Sequence, residues 1–157
     1  MYKITTAIIL IFISLYSNSM ELKLENQNSI SINKDGVSRV ITVDTMINGY
    51  NVNCNGSKIV IWGKPTKINE GNPQDTNVIL IELSHNHKEF QKGISEGIFD
   101  VEYLKLSNYA YIGSSQGVLM NLSNGKLKGT DVDFDPANDS NFESCNKNKS
   151  WYFNRYP

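Results

Sequence analysis

The sequence predicts an all-β protein, either a small antiparallel β-sandwich or an open propeller-like stack of β-meanders, with one disulfide. Short runs of apolar and β-branched residues alternate with Asn-Gly, Asp-Gly and serine-rich turn signals. Nowhere does a 3.6-residue apolar period persist beyond two turns. The chain has 157 residues, a net charge of −1 and 39% hydrophobic residues. These values fit one domain and exclude a disordered chain or a polycationic nucleic-acid binder.

The N-terminus has the pattern of a secretory signal peptide. Lys3 precedes an apolar run that is too short to span a bilayer comfortably, and Ser17 and Ser19 then stand at the −3 and −1 positions of a signal-peptidase site. An uncleaved anchor or a core helix is the alternative. We expect a signal peptide over residues 1–19 and a single all-β domain over residues 20–157, periplasmic or secreted and without a membrane anchor after cleavage.

The predicted export determines which state of the two cysteines is expected. Because oxidising compartments favour disulfides, Cys54 and Cys145 are expected to pair and to tie the C-terminal segment to an early strand. The alternative is a reactive thiol, which needs a nearby histidine or a helix N-terminus. Cys54 instead lies in "NVNCNGSK", a pattern typical of a hairpin turn.

The sequence of the first third of the domain predicts successive hairpins. Residues 28–43 alternate isoleucine with polar residues around an Asp-Gly turn and then resume with β-branched residues. Asn48-Gly49 and Asn55-Gly56 predict two further turns, and the second precedes an apolar strand over residues 59–62.

A long polar loop separates this region from the strongest strand. Residues 64–76 contain two prolines and a glycine among polar residues, whereas residues 77–83 ("NVILIEL") are almost continuously apolar. The polar stretch that follows predicts a turn with a short outer strand near Phe90. A short helix within residues 85–97 is an alternative for part of it.

The last third predicts another strand and another hairpin. Phe99, Val101 and Tyr103 alternate on one face of a strand. Residues 109–122 form two apolar strands around "GSSQ", and Asn124-Gly125 predicts the next turn.

Two segments share the same order of predicted elements. "SKIVIWG" (57–63) and "NYAYIG" (108–113) are each followed by a loop, an apolar strand and a polar serine turn. This order is typical of a β-propeller blade, but the chain has room for only two or three blades. Chance similarity of two hairpins is the alternative.

The two histidines form an H-x-H pair, which on a strand would place both imidazoles on one face and suit zinc or copper. His85 and His87 have no evident third ligand nearby except Glu82 or Glu89. Beside asparagine and lysine, the pair is more simply interpreted as a solvated turn.

An acidic run has partial calcium-loop spacing. Its aspartates occupy positions 1, 3, 5 and 9 of such a loop, and calcium takes six to eight oxygen ligands from a tightly curled segment. Pro136 replaces the required glycine, and Phe142 replaces the bidentate glutamate. The alternative is an acidic loop that faces solvent or a partner. The aspartates are Asp131, Asp133, Asp135 and Asp139.

No convincing acid–base set is present. The chain has no G-x-S-x-G motif, and both histidines lie in one polar turn. We therefore expect no enzyme, no catalytic residues, no metal and no cofactor.

The loop between the last two strong strands is the candidate partner-binding site. Gly113 and Gly117 bracket a slim polar tip of Ser114, Ser115 and Gln116, which could insert into a concave protein partner. A plain hairpin loop is the alternative.

Aromatic residues cluster at the C-terminus as Trp151, Tyr152, Phe153 and Tyr156. Such residues anchor interfaces, stack on sugars or fill cores. If the disulfide pins this tail, core or edge-strand packing is the expected use.

A small exported all-β domain with "GSS" (Gly113-Ser114-Ser115) between two strands resembles the periplasmic immunity proteins that protect bacteria from type VI secretion amidase effectors. One group of these is small, strand-rich and propeller-like, and it pushes a serine-bearing loop into the catalytic cleft of its cognate peptidoglycan amidase. The resemblance covers the hairpin and the general architecture. It implies an immunity or inhibitor protein that acts by protein–protein interaction; the alternative is a secreted carbohydrate- or surface-binding β module.

Overall fold

The computed structural model describes residues 20–84, 88–145 and 150–156, and within them the chain forms twelve β-strands and one 3₁₀ helix, η1. No described helix is long and apolar enough to cross a membrane. The prediction of an all-β fold is confirmed. The elements are β1 (Met20–Asn26), β2 (Ser29–Lys34), β3 (Val37–Thr42), β4 (Thr45–Val52), β5 (Lys58–Pro65), β6 (Thr76–Glu82), β7 (Glu89–Ile94), β8 (Asp100–Tyr103), β9 (Tyr109–Gly113), β10 (Val118–Asn121), β11 (Leu127–Gly129), η1 (Asp139–Asn141) and β12 (Tyr152–Asn154).

The strands build three antiparallel sheets. A three-stranded sheet has the order β1-β2-β3, and a four-stranded sheet has the order β11-β10-β9-β8. Between them in sequence lies a five-stranded sheet of order β12-β4-β5-β6-β7, in which the C-terminal strand returns to pair with β4. Apart from that return, neighbouring strands follow one another along the chain, so each sheet is essentially a meander.

The five-stranded sheet is the middle layer of the stack, because its two faces pack into different cores. Ile59, Ile61 and Ile79 of β5 and β6 are fully buried and share one core with isoleucines and leucines of the three-stranded sheet. Side chains of a strand alternate between faces, so the residues between them must point the other way.

The intervening residues fill the second core. Val60, Trp62 and Leu80 are fully buried against the inner face of the four-stranded sheet, which contributes Val101 and Ile112. A strand buried on both faces has no solvent side on which to place polar residues. This explains why residues 77–83 lack the apolar–polar alternation that an ordinary antiparallel strand shows.

The C-terminal segment is fastened to the early strands, as predicted. Cys54 and Cys145 form a disulfide with a Cα–Cα distance of 5.6 Å, and the Cys54 backbone N–H donates to Glu143 Oε2 at 2.7 Å. Trp151 is buried, and its indole N–H donates to the Met20 carbonyl at 2.6 Å. The expectation that the tail packs in the core and along a sheet edge is confirmed.

The turn predicted at Asn48-Gly49 is wrong. These residues lie inside β4, where the pairing with β5 shifts register between Ile47 and Gly49. A Cβ atom at Gly49 would overlap the Trp62 ring. Glycine is therefore needed here to let a buried indole lie against the strand, and the Asn-Gly pair marks a bulge instead of a turn.

Two further expectations are corrected. Phe99 does not share the buried face of Val101 and Tyr103; it precedes β8 and is 62% exposed. The described part of residues 85–97 contains β7 and a bend instead of a helix. His85 and His87 lie outside the described residues, as does the predicted signal peptide.

Burial of both faces predicts how substitutions in β6 affect stability. Ile79→Ala and Leu80→Ala remove fully buried side chains on opposite faces of one strand. Each is expected to lower the free energy of unfolding by about 2–5 kcal/mol, because each leaves a cavity in a different core. Chemical denaturation measures both, with Val132→Ala at a fully exposed position as the control. A near-neutral effect of either core substitution would contradict the three-layer stack.

Candidate functional site

The predicted partner-binding loop connects β9 to β10 at one end of the four-stranded sheet. Ser115 and Gln116 are exposed at its tip, whereas Gly113 and Gly117 are buried at its base. β9 and β10 pair in register from Ile112–Val118 onward, so both ends of the loop are fixed by the sheet. The structure therefore brings all four predicted residues, Gly113 to Gln116, into one turn.

A carboxylate that is distant in sequence organises the two serines. Ser114 Oγ donates to Glu96 Oε1 at 2.7 Å, and Ser115 Oγ donates to the other oxygen of the same carboxylate. The Gly117 backbone N–H in turn donates to Ser114 Oγ at 3.2 Å. Ser114 thus uses its donor and one acceptor position inside the protein, while the exposed Ser115 keeps its lone pairs available.

Glycine is required at Gly113 and at Gly117 for two different structural reasons. Gly117 has a φ of +65°, a left-handed conformation that side chains disfavour, and a Cβ atom there would lie 2.6 Å from the Tyr111 hydroxyl. A Cβ atom at Gly113 would collide with the Asp100 carboxylate across the β8–β9 pairing. Both glycines allow a close approach that holds the loop against β8 and β9.

The loop borders a depression of about 320 Å³. Ser115, Glu96 and Phe99 line it together with Lys64 of β5 and Gln74 of the long loop between β5 and β6. Exposed aromatic side chains are frequent anchors of protein interfaces, and Phe99, which is 62% exposed, lines the same depression as Ser115 and Glu96. We call Glu96, Phe99, Ser114, Ser115 and Gln116 the tip surface.

Tyr111 supports the base of the loop from the outer face of the sheet. Its ring centroid lies 5.3 Å from that of Phe134 and 6.0 Å from that of Phe142. Burial raises the pKa of the Tyr111 hydroxyl, and the carboxylates of Asp100 and Glu102 raise it further. The segment after β11 thus covers an aromatic ring that in turn touches Gly117.

In the described structure, no three aspartates of the acidic run bring their ligand atoms into one close cluster. Among the described residues, the one cluster of three metal-ligand side chains is Cys54, Glu143 and Cys145, and its two sulfurs are joined in the disulfide. The run instead forms local turns, such as the one in which Asp135 Oδ1 accepts from the Ala137 N–H at 2.9 Å. Together with Leu104, Leu106 and Phe134, part of it lines an open pocket of about 390 Å³.

The C-terminal aromatics offer a limited platform for a carbohydrate. Trp151 is buried, and the Phe153 ring lies 5.7 Å from that of Tyr50. Tyr152 and Tyr156 are exposed. The stacking surface available to a sugar is therefore made of tyrosines, without the indole.

Sequence reasoning found the loop but missed two members of the tip surface. Glu96 lies 18 residues before Ser114, in the connection between β7 and β8, and no local pattern links the two. Phe99 fits the alternation of Val101 and Tyr103, so the sequence placed it on the same strand face as these residues. The one sequence signal that could have pointed to Glu96 is its place between serine and glycine, in the connection that precedes β8.

The raised pKa of Tyr111 yields a pH prediction. Asp100→Asn removes one of the two nearby carboxylates, so the pKa of Tyr111 should fall towards its ordinary value of 10.0 while burial keeps it raised. Because the folded pKa exceeds the unfolded one, the contribution of this tyrosine to stability is present below pH 10.0 and is lost as the pH rises through the folded pKa.

The titration is measured as tyrosinate absorbance, with Tyr111→Phe identifying the signal of this residue. An unchanged or higher Tyr111 pKa in Asp100→Asn would show that the carboxylate does not act on the hydroxyl at the base of the loop.

No protein-family model, curated protein or solved structure matches this chain. The resemblance to immunity proteins therefore depends on the Gly113–Ser115 hairpin and the strand architecture.

Proposed function

We propose that this protein is a periplasmic immunity or inhibitor protein that binds a cell-wall-degrading effector enzyme and occludes its active site with the tip surface. The observation that carries the proposal is the sharing of one carboxylate by two loop serines, Ser114 and Ser115 with Glu96. This arrangement fixes an exposed polar turn in one conformation before any partner arrives.

Preorganisation is what distinguishes this turn from an ordinary hairpin loop. Ordering a flexible loop on binding costs free energy that subtracts from affinity. Here the β9–β10 pairing, the Gly117–Tyr111 contact and the Glu96 bonds have already ordered it. A rigid, slim turn can enter a preformed cleft with little change of shape, as is usual for inhibitors of hydrolases.

The chemistry of the tip surface suits a polar catalytic cleft beside an apolar rim. The exposed Gln116 amide offers a donor and an acceptor, and the Ser115 hydroxyl offers acceptor positions. The Glu96 carboxylate adds negative charge that complements a histidine, lysine or arginine of the partner and would raise the association rate. Phe99 supplies apolar area at the edge of the same surface.

The disulfide supports the proposed location. Disulfides persist in oxidising compartments such as the periplasm and are rare in the reducing cytosol. The Cys54–Cys145 bond is compatible with a protein that works outside the cytoplasm, where an enzyme that degrades the cell wall meets its substrate.

Inhibition of purified hydrolases tests the proposal. The mature protein is assayed against a panel of peptidoglycan amidases and endopeptidases, including any effector encoded beside its own gene, with release of soluble muropeptides as the readout. We expect stoichiometric inhibition of at least one enzyme. A panel without inhibition, combined with binding of a glycan array that Tyr152→Ala or Tyr156→Ala abolishes, would favour the carbohydrate-binding alternative.

Substitutions in the tip surface test the mechanism. Ser114→Trp and Ser115→Trp fill the turn with bulk and should weaken inhibition by about 100-fold or more, because they block entry into the cleft. Glu96→Gln and Phe99→Ala should weaken it by about tenfold each, through loss of charge and of apolar contact.

Ser107→Trp is the matched control, since Ser107 is an exposed serine in the turn between β8 and β9 at the other end of the sheet. If both Ser114→Trp and Ser115→Trp inhibit as strongly as the wild type, the loop does not enter the active site.

A further inference from the structure

We propose that strand β3 (Val37–Thr42) is a self-association edge, which pairs antiparallel with β3 of a second copy to form a symmetric dimer. This inference is independent of the proposed inhibitor function, because β3 belongs to the three-stranded sheet and the tip surface belongs to the other side of the stack. The dimer would join two three-stranded sheets into one continuous sheet.

The backbone groups that face outward from β3 follow from its pairing with β2. The Val43 N–H donates to the Asn28 carbonyl at 2.9 Å, so the Asn28–Val43 pair is a hydrogen-bonded one. Hydrogen-bonded and non-bonded pairs alternate along an antiparallel ladder. The register Ile30–Ile41 therefore turns the backbone of Ile41 towards β2, and every second residue of β3 does the same.

The remaining residues, Ser38, Val40 and Thr42, present their N–H and C=O groups to the open edge. All three are exposed, and the Val40 side chain is 62% exposed. Among the described strands β3 pairs with β2 alone. The edge thus offers a row of three donor–acceptor residues with no pairing strand in the described part of the chain.

β3 differs from the other edge strands in its length and in the number of its exposed charges. Natural proteins protect sheet edges with charges or with very short strands. β1 and β7 carry exposed charged side chains, and β8, β11 and β12 have four residues or fewer. β3 has six residues and one charged residue, the half-buried Arg39, whose guanidinium Nη2 donates to the Leu83 carbonyl at 3.0 Å.

The symmetry of a dimer selects the register. A two-fold axis perpendicular to the sheet puts the buried faces of both copies on the same side of the joined sheet. Each residue of β3 must therefore lie opposite a residue whose side chain points to the same side. A register centred on Arg39 would pair the two positively charged arginines directly, and like charges directly opposite are destabilising. A register centred on Val40 sets Val40 against its own copy, Ser38 against Thr42 and Arg39 against Ile41, so the two arginines are diagonal neighbours and not directly opposed.

The register centred on Val40 also uses all of the open backbone groups. It makes hydrogen-bonded pairs of Val40 with Val40 and of Ser38 with Thr42 on both sides, and each pair exchanges two hydrogen bonds. Registers shifted along the strand leave one or more outward residues unpaired. The apolar groove beside this edge, about 400 Å³ and lined in part by Ile32, Val37 and Leu83, would then adjoin the second copy.

Sedimentation velocity over a concentration series tests the dimer. Because the interface is one strand wide, we expect a weak association, with a Kd on the order of 10–100 μM. Val40→Lys places two ammonium groups opposite each other and should raise the Kd at least about tenfold. Val132→Lys makes the same change at a fully exposed loop position and should leave the Kd unchanged.

Cysteine cross-linking tests the register, and it keeps the proposal testable if Val40→Lys perturbs folding. Under mild oxidation Val40→Cys should form a covalent dimer on a non-reducing gel, because the two copies of residue 40 face each other. Ser38→Cys should cross-link no faster than the control Val132→Cys, because residue 38 lies opposite residue 42.

A wild-type protein that stays monomeric up to about 1 mM would overturn the proposal, since even weak interfaces populate dimers there. So would a Val40→Cys variant that cross-links no faster than Val132→Cys. If the protein is monomeric but β3 binds an extended peptide of another protein, the edge is a site of strand addition and the dimer is wrong.

Discussion

Burial of both faces of the middle sheet is the constraint on which the rest of the structure depends. Consecutive residues of β6, such as Ile79 and Leu80, lie in different cores, so the strand contributes to two layers at once. Each outer sheet buries one face against it. Removing the middle sheet would therefore expose the apolar inner faces of both outer sheets to water, which is unfavourable.

The disulfide and two buried hydrogen bonds fasten the C-terminal segment and β8 to the middle sheet. The disulfide closes a separation of 91 residues, and in the chain-entropy model a loop of that length stabilises the folded state by about 4–5 kcal/mol. Across the second core, Tyr103 Oη donates to the Asn51 carbonyl at 2.8 Å, and Asn51 Nδ2 donates to the Val101 carbonyl at 2.6 Å. These bonds fix β8 on the middle sheet, and β8 in turn supports the base of the Gly113–Gly117 loop.

Most strands and the loop could be predicted from sequence because their signals are local. Turn residues and short apolar runs indicated the hairpins, and a chain with two cysteines allows one intramolecular pairing. The misassigned features depend on contacts between distant residues. Asn48-Gly49 has the local pattern of a turn, but the ring of Trp62 on the neighbouring strand makes Gly49 part of a bulge. Glu96 joins the serines only through the fold, and no spacing rule finds a carboxylate that meets them across two strands.

Amide hydrogen exchange measured by NMR tests the central role of the middle sheet most directly. If that sheet holds both cores together, the backbone amides of β5 and β6 should be the slowest to exchange, with opening free energies equal to that of global unfolding. The amides of β2 and β9 should exchange at the same rate or faster. Lasting protection of β2 or β9 under conditions in which β5 and β6 exchange freely would contradict the account, because an outer sheet would then be folded without the layer it packs on.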